Sequence, residues 1–174
     1  MRLHVGGKVK AEGWTVLNIQ PGPIVDIVGT CTDLSMIGSG TVEDVYASHV
    51  LEHLGHAGEL RQALAEIFRV LRPGGRLLAS VPDLEILCQL FVHPESTPRH
   101  RLKLMGFMFG AQEDQHDFHR VGLWWDYFGH CLDAAGFAET RRVKEFGLFE
   151  DYSSFTFGGV AISLNVIAVK PLAP

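Results

Sequence analysis

Leu60-Arg61-Gln62-Ala63-Leu64-Ala65-Glu66-Ile67-Phe68-Arg69-Val70-Leu71-Arg72-Pro73-Gly74-Gly75-Arg76-Leu77-Leu78-Ala79-Ser80-Val81 decides the fold class. Leu60, Ala63, Leu64, Ile67, Phe68 and Leu71 recur at helical spacing, and Arg61, Gln62, Glu66 and Arg69 take the opposite face. The spacing predicts a helix over Gly58–Leu71. Pro73-Gly74-Gly75 stops it and turns the chain into an apolar strand, Arg76–Val81. Helix, sharp turn and buried strand in that order form half of a crossover unit, the building block of α/β sheets.

Short β-type runs precede this unit, at Arg2–Val5, Trp14–Ile19, Val25–Val28 and Val42–Ala47. Parallel neighbours normally need a crossover of a dozen or more residues, and the gaps between the first three runs are too short for full helices. The N-terminal half is therefore reduced. After Val81, Asp83 can cap a helix over Leu84–Phe91. Pro94 to Pro98 breaks that helix, another covers Arg99–Phe109, and a further one runs from Leu123 to Ala135. Strands over Ala138–Phe146 and Ala161–Val169 close the chain. The longest irregular segments are Gly110–Gly122, dense in His and Asp, and Gly147–Gly159.

The 174 residues fit one domain, 1–174, and 47% hydrophobic with 20% charged residues is enough to build a core. The formal net charge of −5 argues against nucleic acid as the main partner, because phosphate binding needs a dense basic surface. Arg99, His100, Arg101 and Lys103 read as one solvated helix face. No apolar run approaches the roughly 20 residues of a membrane span, and no basic-then-apolar leader is visible. A soluble, cytoplasmic protein is the expectation. Cys31, Cys88 and Cys131 are far apart and lack CxxC spacing, which fits reduced, buried thiols better than disulfides or zinc.

An ordered set of motifs resembles the type-11 branch of the class I S-adenosylmethionine-dependent methyltransferases, in particular a compact subgroup. The set comprises Leu3-His4-Val5-Gly6-Gly7, Val45-Tyr46-Ala47-Ser48-His49-Val50-Leu51-Glu52-His53-Leu54, Val70-Leu71-Arg72-Pro73-Gly74-Gly75-Arg76-Leu77 and Val81-Pro82-Asp83-Leu84. Phe109-Gly110-Ala111-Gln112, Asp117-Phe118-His119, Gly147-Leu148-Phe149-Glu150-Asp151 and Ile162-Ser163-Leu164-Asn165 extend it. The resemblance implies a Rossmann-like α/β sheet, mostly parallel with an antiparallel last strand, and S-adenosylmethionine over the carboxyl ends of the early strands. Ligands of open α/β sheets generally sit at such ends.

In this reading Gly6 and Gly7 admit the cofactor's amino-acid moiety without a Cβ clash. Asn18 stands where the family usually has an acid on the ribose hydroxyls, and a neutral amide there lacks charge-assisted strength. Asp33 resembles the carboxylate that accepts from the adenine amino group, with Cys31 and Thr32 beside it; Thr30 replaces a second frequent acid. As a residue alone, Asp33 equally fits a turn or cap before Leu34. Ala47, Ser48 and His49 fall near the methyl group, where His49 orients the cofactor or accepts a proton. Gln112, His116 and His119 are the substrate candidates, with Asp117 and His119 as an acid–base pair. His49 and His53 have a permissible metal spacing, but the glutamate placement of zinc proteases is missing, and no metal is assigned.

Trp124, Trp125, Tyr127 and Phe128 are expected to divide between core packing and contact in a homodimer. The functional expectation is methyl transfer to a small-molecule or glycan-like acceptor. The alternative is a catalytically inactive binding or scaffold protein, for which the short cofactor half, Asn18 and Thr30 speak.

Overall fold

The computed structural model describes residues 1–172. Its strands are β1 (Arg2–Val5), β2 (Trp14–Asn18), β3 (Ile27–Val28), β4 (Val42–Ser48), β5 (Leu71–Pro82), β6 (Ala138–Arg142), β7 (Thr156–Phe157), β8 (Val160–Ala161) and β9 (Ser163–Val169). Its α-helices are α1 (Glu59–Val70), α2 (Leu84–Val92), α3 (Pro98–Phe109) and α4 (Trp125–Ala134). Seven strands form one sheet in the order β3-β2-β1-β4-β5-β9-β6, and β7 and β8 make a small separate hairpin. The first five in the chain run parallel, while β9 is antiparallel to both β5 and β6. The expected α/β sheet, mostly parallel with an antiparallel last strand, is thus the one observed.

The period of two along each strand sorts side chains between two faces. Leu3, Val5, Val45, Ala47, Leu77 and Ala79 point to the face packed by α1 and α4, where Leu60, Leu64, Ile67, Phe128 and Leu132 complete the main core. His4, Trp14, Tyr46 and Leu78 point the other way. Among the described residues no α-helix covers them; Phe146 and Phe149 from the segment after β6 fold back onto them instead. A third cluster, Leu87, Leu104 and Ile162, joins α2, α3 and the approach to β9. No helix among the described residues is long and apolar enough to cross a membrane.

Local chemistry explains most boundaries. Asp83 caps α2 by accepting from Glu85 and Ile86 N–H groups, as anticipated, and Thr97 caps α3 with Pro98 at its first turn. Lys170 caps the other end of α1, its Nζ donating to the Phe68 and Leu71 carbonyls at 2.7 Å each.

Pro73-Gly74-Gly75 departs from the simple turn expected. Pairing of β4 with β5 already begins at Val42↔Leu71 and resumes at Asp44↔Arg76, so Glu43 alone stands opposite the run Arg72–Gly75. This bulge is stitched to the neighbouring strand by Gly74 N–H to Lys170 O and Lys170 N–H to Gly75 O, both 2.9 Å.

The N-terminal half is reduced, as its short gaps required: β3 has two residues, and no helix lies between β1 and β4. β6 is also shorter than the sequence suggests, ending at Arg142, and its register against β9 shifts near its start, where Glu139 has a positive φ of 49°. The cysteines are free, but Cys88 is exposed on α2 rather than buried. Burial holds the Cys31 thiol up at about 11.

Candidate active site at the strand tips

The carboxyl ends of β1, β2 and β4, with the turn after β3, enclose a cleft of about 560 Å³. That size lies within the range of small-ligand sites. Val5, Leu17 and Cys31 supply apolar floor; Asn18, Gln20, Thr30 and Thr32 supply polar groups; the Glu113–Phe118 loop forms the opposite wall. Glu59, Glu113, Asp114 and Asp117 line it against Lys8 and Arg120. Because Arg120 is already paired with Glu59 at 2.6 Å, the remaining balance is negative and suits a cationic ligand.

The backbone at the β1 tip is dictated first by the protein itself. Gly6 has φ 69°, and a Cβ there would run into the Val50 side chain. A Cβ on Gly7 would meet the His4 ring at 2.9 Å. Gly6 lines the cleft, whereas Gly7 is buried behind it. Asn18 lines the cleft too, and its amide ties two loops together: Nδ2 donates to Gly7 O at 3.3 Å, and Oδ1 accepts from Gln20 N–H at 3.0 Å.

Thr32 reaches the cleft, its hydroxyl 3.1 Å from that of Thr30. Asp33 stands outside the lining, exposed, with Oδ1 accepting from Ser35 N–H at 3.0 Å. That bond holds its carboxyl below the ordinary range. Ala47 is fully buried in the sheet, and the Ser48 hydroxyl is buried without a partner. Only His49, with φ 52°, brings the end of β4 into the cleft.

His49 belongs to a cluster that sequence spacing hides. A 3₁₀ turn, Leu51–His53, follows β4 and buries Glu52 to 1% exposure. The Glu52 Oε1 atom lies 3.3 Å from His49 Nδ1 and 4.0 Å from His119 Nε2. The His53 and His119 rings meet edge to face at 4.8 Å between centroids. Burial pushes the Glu52 carboxyl up, but contact with His49 and the charges of His53 and His119 outweigh it, leaving it below the ordinary range. Burial lowers His119 below its usual value, Glu52 opposing.

The His119 ring is held by the Phe107 carbonyl, 3.0 Å from Nδ1, and faces Glu52 rather than Asp117. Asp117 instead accepts from Glu113 N–H at 3.4 Å and lines the cleft. With Asp117 bonded inside the loop and His119 bonded to Phe107 O, the two side chains have different partners. His116 lines the cleft. Gln112 is exposed outside it, its Nε2 donating to Phe109 O at 3.3 Å. Glu52 was missed as a site residue; its signal was an acid inside an otherwise apolar run, flanked by histidines three before and one after.

The strand order agrees with several comparisons. A family model described as "Methyltransferase domain" matches residues 10–79. The chain has the fold of the class I methyltransferases. No curated protein matches it in sequence.

Among solved structures with this methyltransferase fold, a SAM-dependent methyltransferase from Methanosarcina mazei is 18% identical with a TM-score of 0.58. That match covers 99% of this chain and 92% of the other. The 1,6-didemethyltoxoflavin-N1-methyltransferase of Burkholderia thailandensis, solved with its substrate and S-adenosylhomocysteine, is 14% identical with a TM-score of 0.58. Here 98% of this chain and 70% of the other are covered. A "possible exported protein" from Bordetella parapertussis is 13% identical with a TM-score of 0.57, covering 98% of this chain. The methyltransferase-fold chain spans only 61% of that protein's length.

Proposed function

We propose that the strand-tip cleft binds S-adenosylmethionine and that the protein transfers its methyl group to a small-molecule or glycan-like acceptor. The observation that carries this reading is the open cleft of about 560 Å³ where the fold places its ligand, not filled by the protein's own side chains. The residues present fit the cofactor: an apolar floor, hydroxyl and amide groups at the rim, and a net negative lining for a sulfonium. Bound there, S-adenosylmethionine supplies an electrophilic methyl group.

Gly6, Asn18, Thr32 and His49 hold the cofactor, and Asp33 shapes the Thr30–Leu34 turn that presents Thr32. Gly7, Ala47 and Ser48 support these positions from behind. His49 is the nearest proton acceptor at the reacting end. It is oriented by Ser163, whose Oγ lies 3.0 Å from His49 Nε2. Asp117 and His116 contact the acceptor from the loop wall, with Gln112 at its outer edge, and His119 acts through Glu52. Holding nucleophile and methyl group in line supplies most of the rate in such a site. The whole chain works as one domain.

One observation favours the second reading, a binding protein without catalysis: the Asn18 amide is already engaged on both atoms. Calorimetric titration with S-adenosylhomocysteine separates the two. The wild-type chain and Asp33→Ala should both release heat with one-site stoichiometry, and Thr32→Trp, which fills the cleft, should release none. Absence of heat in the folded wild-type chain overturns the methyl-transfer reading, and unchanged binding by Thr32→Trp overturns the placement in this cleft.

A further inference from the structure

We infer that Glu52, His53 and His119 form a binding site for one divalent transition-metal ion, at the inner edge of the cleft. One ligand atom from each lies within 4.8 Å of the others. The decisive feature is Glu52. It is almost wholly buried, neither carboxylate oxygen makes a well-formed hydrogen bond, and its one near contact outside the proposed ligands is His49 Nδ1, 3.3 Å from Oε1. Buried carboxylates are normally paired or bound to a cation, because an uncompensated charge inside a protein is strongly unfavourable.

The surrounding hydrogen bonds show which lone pairs face this carboxylate. A carbonyl oxygen only accepts, so His119 Nδ1–H donates to Phe107 O at 3.0 Å, and His53 Nδ1–H donates to Phe118 O at 3.2 Å. In each neutral ring Nε2 is then the bare nitrogen. The same logic reaches His49: Ser163 Oγ gives its proton to Tyr152 O at 2.9 Å, so it accepts from His49 Nε2–H, leaving Nδ1 toward Glu52. With these rings neutral, their lone pairs face the carboxylate and repel it. A shared cation turns that arrangement into an attractive one.

The backbone carbonyls behind His53 and His119 are the outer partners that ligating histidines characteristically have, fixing tautomer and ring orientation. Ligand atoms about 2.0–2.2 Å from a tetrahedral ion stand roughly 3.3 Å apart. The 4.0 Å between Glu52 Oε1 and His119 Nε2 therefore closes with small side-chain rotations. Two imidazoles and one carboxylate suit zinc, cobalt, nickel, iron or manganese and do not suit calcium or magnesium, which prefer all-oxygen shells. Three protein ligands leave coordination positions open, and His53 borders the cleft. In the methyl-transfer reading, on which this last extension alone rests, an acceptor oxygen occupies such a position and becomes easier to deprotonate.

The test uses the tag-free full chain, stripped with chelator and dialysed. Titration with Co²⁺ followed by visible absorption, and with Zn²⁺ by calorimetry, should show one ion per chain. His53→Ala, His119→Ala and Glu52→Gln should each weaken binding at least tenfold, with His130→Ala, an exposed histidine on α4, as the unchanged control. Circular dichroism monitors folding. Because Glu52 is buried and its variant is the one most prone to misfold, the half-exposed His53 keeps the test decisive. No one-to-one binding of Co²⁺, Zn²⁺, Ni²⁺ or Mn²⁺ by the folded wild-type chain overturns the inference. Wild-type affinity in His53→Ala and His119→Ala overturns it equally. Neither result bears on S-adenosylhomocysteine binding, which is measured separately.

Discussion

Removing the titration of His4 should flatten the acid side of the stability curve. His4 is 5% exposed, wedged among Trp14, Tyr46 and Phe149, and its Nδ1 has no hydrogen-bond partner. Burial lowers its pKa from 6.5 to about 4, with the nearby Asp151 charge opposing. The unfolded chain therefore binds this proton at a higher pH than the folded chain does. Stability is fully present above pH 6.5 and declines as the pH falls toward 4.

With about 1.4 kcal/mol per pKa unit, the loss between pH 7.5 and pH 4.5 is about 2.5 kcal/mol. Urea denaturation of wild type and His4→Leu at those two pH values isolates the effect. The substitution carries a packing cost at both, whereas the titration is missing only from the variant. The pH-dependent part of the wild-type stability should exceed that of His4→Leu by about 2.5 kcal/mol. Equal pH dependence in the two proteins would show that the ring is not held neutral by its aromatic surroundings.

Two further predictions concern the frame of the cleft. Gly110 has φ 82°, and a Cβ there would strike the Asp117 carbonyl, so Gly110→Ala should destabilise the chain by about 2 kcal/mol or more, read from the urea midpoint. It should also loosen the loop wall, raising amide exchange across 110–119. Arg76 grips the buried Asp44 with two bonds, 2.7 and 2.8 Å. Arg76 is itself half exposed, so Arg76→Ala should cost only about 1–2 kcal/mol after solvent screening, and thermal unfolding in low and high salt checks this.

Much of this architecture could be read along the chain because its determinants are local. The α1 stripe from Leu60 to Ile67, the Asp83 cap and the apolar β5 run each depend on neighbours a few residues apart. Pro73-Gly74-Gly75 announced a break, but the bulge it makes depends on Lys170, nearly a hundred residues later. The same distance problem hid the Glu52 cluster. His119 reaches Glu52 because Arg120 and Val121 N–H groups bond the Glu52 carbonyl, at 2.7 and 3.2 Å. The covering of His4 by Phe149 was equally out of reach, since nothing local marks where the segment after β6 will return. Asp33 remained open between ligand and turn because one side-chain oxygen serves either purpose.

The sheet's two margins carry a consequence for behaviour at high concentration. β3 offers two residues to a passing strand, and β6 is kinked at Glu139 and carries Arg141 and Arg142. A ribbon that short, or that bent and charged, is a poor template for edge-to-edge growth between molecules. The trimming that shortened the N-terminal half thus also blunts the margin most open to fibrillar assembly.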